Sequence, residues 1–212
     1  MGKLLTLAKE IIFPSRTTCF ICGREEIVGE DDLCDACRES IHLCICPPAP
    51  LPLDGVSAGL LYTKELHEPM HRFKYRDKVE YAAFFCQYMS IPQDWSIDIL
   101  CPVPLYYLRE MKRTYNQSEL LARRISAIYQ IPYCRDLLEK TRNTATQTRL
   151  NPAQRQRNVQ NAFKAAPECK NLSVLLIDDV YTTGATLASC AKELKKQGAS
   201  KVYALCACKT DN

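Results

Sequence analysis

The sequence predicts an α/β protein in which a parallel sheet is flanked by helices and preceded by a small metal-binding module. Three features predict it. From residue 56 onward, apolar stretches of strand length alternate with segments of helical length. Four cysteines, Cys19, Cys22, Cys34 and Cys37, stand as two CxxC pairs eleven residues apart. Between these regions, CPPAPLPLDG (46–55) places four prolines within residues 47–53, which excludes regular helix or central strand. The expected division is residues 1–48 as an N-terminal helix and zinc-ribbon-like module, 49–55 as a Pro-rich linker and 56–212 as the main α/β domain.

Along the chain, Leu4, Leu7, Ala8, Ile11 and Ile12 fall on one helical face, which either docks on the protein or lies on a membrane surface. Lys9 and Glu10 interrupt that stretch, so it is not expected to be a signal peptide, and no apolar run has membrane-spanning length. VSAGLLY (56–62) reads as a strand, residues 79–89 as a helix, and IDILCPVPL (97–105) as a buried strand ending in Pro102 and Pro104. Asn116 to Tyr129 reads as a helix and SVLLI (173–177) as a strand. Ala185 to Lys196 reads as a helix closed by Gly198, and KVYALCAC (201–208) as the last strand. Such alternation places ligands beyond the carboxyl ends of the strands.

Thirteen cysteines do not form a disulfide framework here. Six crowd into residues 19–46 and the rest sit in apolar stretches, the usage of a reducing, cytoplasmic compartment. Two CxxC pairs let four thiolates converge tetrahedrally on structural zinc, and Gly23 permits the tight turn of a metal knuckle. Metal would then supply the fold of the module, and the sheet domain is expected to persist without it. Cys44 and Cys46 are spaced poorly for the same ion.

Residues 174–186, VLLIDDVYTTGAT, combine a strand, the paired carboxylates Asp178 and Asp179, and a hydroxyl-rich loop that opens a helix. Unpaired N–H groups at a helix start, with Thr182, Thr183 and Thr186 as donors and Gly184 for close backbone approach, suit a phosphate. Paired carboxylates suit a ribose diol or hydrated Mg2+. The segment resembles the motif that binds phosphoribosyl pyrophosphate (PRPP) in type I phosphoribosyltransferases. That resemblance implies a type I phosphoribosyltransferase-like sheet, with Asp178 and Asp179 at the ribose and Tyr181, Thr182, Thr183, Gly184, Ala185 and Thr186 around the 5-phosphate. Tyr181 stands where many members have an aliphatic residue.

Two further stretches resemble the ComF family of competence proteins: Pro102, Val103, Pro104, Arg113, Asn116 and Gln117, then Arg142, Thr144, Gln147, Leu150, Arg155, Asn158, Val159 and Phe163. With the four-Cys module, the resemblance covers nearly the whole chain. It implies a cytoplasmic protein, free or peripheral to the inner face of the membrane, that binds Mg2+–PRPP and helps import single-stranded DNA beside a helicase-like motor. Pro102, Val103, Pro104 and Leu105 would border the pyrophosphate, and Arg142, Arg149 and Arg155 would close over it.

Residues 105–164 carry 12 basic and 4 acidic side chains, net +8, whereas residues 1–48 are net −3. Such a basic segment neutralises pyrophosphate or tracks a nucleic-acid backbone. DNA is placed along Arg109, Lys112, Arg113, Arg123 and Arg124 in preference to the Arg142–Arg157 loop, and Tyr106, Tyr107 and Tyr115 either stack bases or pack as ordinary core or rim. His67-Glu68-Pro69-Met70-His71 matches the HExxH protease pattern, but Pro69 is expected at the first helical position, leaving His67 outside the helix. Three functional classes stay open: DNA handling with bound PRPP, transfer of ribose phosphate to an acceptor, and PRPP sensing without catalysis. No acceptor-activating base is evident.

Overall fold

The computed structural model describes residues 18–26, 28–29, 31–45, 49–75, 80–144 and 152–211, without the side chains of residues 109, 112, 152, 153, 155 and 156. The expected N-terminal helix, Cys46 and Arg149 lie outside the described residues. In chain order the strands are β1 (Gly55–Leu61), β2 (Ile99–Pro102), β3 (Leu138–Lys140), β4 (Phe163–Ala165), β5 (Ser173–Tyr181) and β6 (Lys201–Lys209). The helices are α1 (Asp35–Ser40), α2 (His67–Tyr75), α3 (Glu80–Cys86), α4 (Tyr107–Arg113), α5 (Gln117–Tyr129), α6 (Pro152–Val159) and α7 (Ala185–Lys196). None is long and apolar enough to cross a membrane.

Strands β1, β6, β5 and β2 form one parallel sheet in that order, and β3 and β4 form a separate antiparallel pair. The central strands are buried on both faces, as nearly unbroken apolar runs require in a parallel sheet: Val174–Ile177 are fully buried and Val202–Cys208 nearly so. Alternate side chains serve two cores. Leu100, Leu175, Ile177 and Leu205 face Leu121 and Ile125 of α5, Phe73 of α2 and Phe84 and Phe85 of α3. On the other face, Cys101, Leu176, Ala204 and Cys206 pack with Leu187, Cys190 and Leu194 of α7 and Phe163 of β4. Burial of each such Leu or Phe contributes about 1.5–3 kcal/mol.

Both sheet edges are covered. Residues 42–44 pair antiparallel to β1, with Leu61 N donating to the His42 carbonyl (2.8 Å) and Cys44 N to that of Gly59 (3.0 Å). Residues 132–134 run along β2, where Leu100 N donates to the Pro132 carbonyl and Cys134 N to that of Leu100, both at 2.9 Å. The Pro-rich segment ends at Asp54, whose carboxylate accepts from Val202 N (2.7 Å) and pairs with Lys195 (2.7 Å), fixing the start of β1.

Three expectations are corrected. The acidic pair is not a tip beyond the strand: β5 continues to Tyr181, with Asp178 registered on Cys206 and Val180 on Cys208. Helix α2 begins at His67, not at Pro69, because a 3-10 turn (Lys64–Leu66) precedes it and a proline in the first turn has no intrahelical bond to lose. The cysteine-rich segment also shares a core with the sheet. The Phe20 ring lies 4.7 Å from Tyr81 and 5.5 Å from Phe84, and Tyr81 Oη donates to the Phe20 carbonyl (3.3 Å).

Candidate functional site

Parallel pairing of β2 with β5 sets Pro102 beside Ile177, so the two strands release their exit loops side by side. Val103 N donates to the Ile177 carbonyl (2.9 Å), and Asn116, which caps α5 by accepting from Ser118 N (3.0 Å), donates to the Val103 carbonyl (3.0 Å). The resulting crevice is a cavity of about 280 Å³ lined by Val103–Leu105, Asp178–Thr182, Gly184–Thr186, Ser118, Lys74, Arg113 and Lys140. A second cavity of about 490 Å³ adjoins it behind Pro104 and Leu105, against strand β3.

The two carboxylates differ. Asp178 Oδ1 accepts from Ser118 Oγ and from Asp179 N, both at 2.9 Å. Burial, and then the neighbouring Asp179 charge, push its carboxyl from 3.8 up to about 7. Asp179 Oδ2 instead meets Lys74 Nζ at 3.0 Å. Burial alone would lower the Lys74 ammonium, but attraction to Asp179 outweighs it and the net shift is upward.

A raised carboxyl pKa favours the protonated folded state. The folded protein is therefore relatively stabilised below pH 4, and this advantage is lost as pH rises through about 7. Asp178→Asn keeps an acceptor for Ser118 and removes the ionisation. It should stabilise the protein by on the order of 2–4 kcal/mol at pH 8 and negligibly at pH 4, as read from thermal unfolding across that range. An equal effect at both pH values would contradict the assignment.

The Thr loop is shaped by Gly184, the N-cap of α7, at φ 72°. A Cβ there would lie 2.8 Å from the Tyr181 hydroxyl and 3.0 Å from two ring carbons, because the buried Tyr181 ring forms the floor of the loop. Thr183 Oγ1 is buried with no hydrogen-bond partner among the described residues, so the loop carries an orphan donor in need of an acceptor. Gly184→Ala combines a left-handed backbone with that collision. It should cost about 1–3 kcal/mol of stability and weaken phosphate binding at least tenfold; an unchanged melting temperature together with unchanged titration would refute this.

The basic residues are spread over several surroundings. Arg113 lines the cavity, donating to Gln117 Oε1 (2.9 Å) and Tyr75 Oη (2.9 Å) with its guanidinium over the Tyr75 ring. Arg123 pairs with Glu119 (2.8 Å), and Arg124 is exposed. Arg142 donates to the carbonyls of Asn158 (3.1 Å) and Gln160 (2.8 Å), which ties residue 142 to residues 158–160 outside the cavity wall. The side chains of Arg109, Lys112 and Arg155, and all of Arg149, lie outside the described atoms. Lys74, Ser118 and Lys140 were not singled out from the sequence. They carry no motif; only the fold brings Lys74 and Ser118 to the acidic pair and Lys140 to the same cavity.

The thiols of Cys19, Cys22, Cys34 and Cys37 all lie within 4.8 Å of one another, and Cys22 and Cys34 are 3.9 Å apart. Tetrahedral bonds of about 2.3 Å to one ion require sulfurs about 3.8 Å apart, so the cluster can hold a metal ion. Gly23, at φ 71°, donates to the Cys19 carbonyl (2.9 Å) and forms the knuckle turn. Burial raises the Cys19 thiol, but the N–H groups of Cys34, Cys22 and Ile21 outweigh it and bring it to about 7. Cys44 is absent from this cluster. His67 and His71 share a face of α2 yet join no metal-ligating group among the described residues; their rings lie tilted against those of Tyr62 and Tyr75.

Comparison with known proteins matches residues 97–211 to the phosphoribosyl transferase domain. The DNA utilization protein YhgH of Salmonella typhi is 27% identical over 91% of this chain and 96% of its own length. Competence protein ComFC of Bacillus subtilis is 26% identical over 89% of this chain and 82% of its own. Competence protein F of Haemophilus influenzae is 37% identical over 50% of this chain and 47% of its own. Together with the parallel sheet and the acidic–threonine crevice at its carboxyl edge, these similarities show that the chain belongs to the phosphoribosyl transferase domain family, as a ComF-type member.

Proposed function

We propose that the protein binds Mg2+–PRPP in the β2–β5 crevice and acts in DNA uptake or utilisation. One observation carries the ligand reading. The paired Asp178 and Asp179 and the loop residues Thr182, Gly184, Ala185 and Thr186 border one cavity that also receives Lys74, Arg113 and Lys140, and the same loop carries the orphan Thr183 hydroxyl. Carboxylates for a diol, donors for a phosphate and cations for a second anionic group are the complement of a phosphorylated ribose carrying pyrophosphate. On this reading Asp178 and Asp179 meet the ribose hydroxyls, Tyr181–Thr186 hold the 5-phosphate and Pro102–Leu105 border the pyrophosphate. As hard oxygen donors, the carboxylates suit hydrated Mg2+, which would neutralise charge on the phosphates. The four thiolates suit structural zinc. Residues 1–48 form the metal module, 49–55 the linker and 56–212 the ligand-binding domain.

The names of the relatives support the DNA role. The basic segment suits single-stranded DNA along Arg109, Lys112, Arg113, Arg123 and Arg124, and a helicase-like motor is the expected cytoplasmic partner. Arg142, Arg149 and Arg155 are the candidates to close over PRPP, which would require Arg142 to leave the carbonyls of Asn158 and Gln160. Incubation with Mg2+–PRPP, followed by assay of bound ligand and released pyrophosphate with and without single-stranded DNA, tests the proposal. Binding is expected. Release marks a transferase, and binding without release marks a sensor. Failure to bind PRPP would overturn the reading. DNA affinity should fall with salt at a log–log slope of roughly −0.7 per phosphate contacted; salt-independent binding would exclude the basic track.

A further inference from the structure

We propose that Lys74 is a ligand-binding residue: resting on Asp179, it moves to the pyrophosphate when PRPP enters. This inference rests on the PRPP reading of the crevice. Lys74 belongs to α2, outside the residues that match the family domain, so an earlier part of the chain completes the site. Its Nζ reaches Asp179 Oδ2 at 3.0 Å, and both residues line the cavity with side chains only 24% and 16% exposed.

Lys74 shares its wall with Arg113. Gln117 binds both, accepting from Arg113 (2.9 Å) and donating to the Lys74 carbonyl (3.4 Å), and Asn116 beside it holds the Val103 carbonyl at the exit of β2. Arg113 is fixed by Gln117 and Tyr75 and cannot readily relocate. Lys74 carries a compact charge on a flexible four-carbon stem and is the cation free to follow an anion. Three cations, Lys74, Arg113 and Lys140, line this cavity with two carboxylates, Asp178 and Asp179, so its cations outnumber its anions. A polyanion restores the balance.

The exchange is coupled for an electrostatic reason. Withdrawing Lys74 from a half-buried carboxylate leaves both charges uncompensated. It becomes favourable when ribose hydroxyls donate to Asp179 and an incoming phosphoryl oxygen accepts from Lys74. Ribose 5-phosphate lacks the second anion and should leave the ion pair in place.

Calorimetric titration of wild type, Lys74→Met and Lys74→Arg with Mg2+–PRPP, Mg2+–pyrophosphate and ribose 5-phosphate tests this. Lys74→Met should weaken PRPP and pyrophosphate at least tenfold and ribose 5-phosphate less than twofold, and Lys74→Arg should recover most of the loss. Equal weakening of ribose 5-phosphate and pyrophosphate would reduce Lys74 to a counter-ion of Asp179, and unchanged affinities would remove it from the site. Should Lys74→Met fail to fold, Lys74→Gln, which keeps a donor toward Asp179, must give the same split. A wild-type protein that binds none of the three fails the site reading itself, before any variant is compared.

Discussion

Asp178→Asn combined with Asp179→Asn is expected to lower PRPP affinity at least a hundredfold while the protein stays folded. Each carboxylate that accepts a ribose hydroxyl contributes about 1.5–3 kcal/mol through a charge-assisted bond, and amides return only part of it. The fold should tolerate the change. An amide oxygen at 178 still accepts from Ser118 and the 179 N–H, and the relief of a buried acid offsets the cost of leaving Lys74 without its 3.0 Å partner. Calorimetry with Mg2+–PRPP, alongside thermal unfolding, checks both halves. Equal affinity in wild type and variant would remove the acidic pair from the site.

Cys34→Ser combined with Cys37→Ser is expected to abolish metal binding and lower the melting temperature of the entire protein by roughly 10 °C. The sequence alone suggests that the module melts first and the sheet domain persists. The structure changes that expectation, because Phe20, Ile21 and Leu33 lie in the same buried layer as Phe73, Tyr81 and Phe84. Losing a buried Phe from a core costs about 3–5 kcal/mol, and each kcal/mol shifts a chain of this size by about 2–4 °C. Helix α2 rests on the module through Arg72, which donates to Tyr81 Oη (3.4 Å) beside Gly23, so PRPP affinity should fall as well. Metal analysis should give one ion per wild-type chain. Two separate transitions in the variant, the upper one unchanged from wild type, would restore an independent module.

The sheet was legible because buried parallel strands are long apolar runs. SVLLI and KVYALCAC need no partner to be recognised, and α7 carries its own stop at Gly198. The acidic–threonine loop and the CxxC pairs were legible for a related reason, since each packs its chemistry into a dozen or so residues. What the sequence hid is non-local. Ser118 meets Asp178 across sixty residues, and Lys74 sits on a helix in a different part of the chain from Asp179. The β3–β4 pair was missed because its strands are three residues long and partly polar. Charge counting placed Arg113 on the basic track without revealing that it also borders the β2–β5 cavity, because charge along a chain does not say which way a side chain faces. Only the expected helix start at Pro69 was misplaced in the HExxH segment, where a preceding 3-10 turn moved the boundary to His67.

A crystal structure of the full chain grown with Mg2+ and PRPP tests the ligand site most directly. It should show the 5-phosphate within hydrogen-bond distance of the Thr182–Thr186 loop, including Thr183 Oγ1, and the ribose hydroxyls on Asp178 and Asp179. Ligand density elsewhere, or saturating PRPP with an empty β2–β5 crevice, would contradict the assignment.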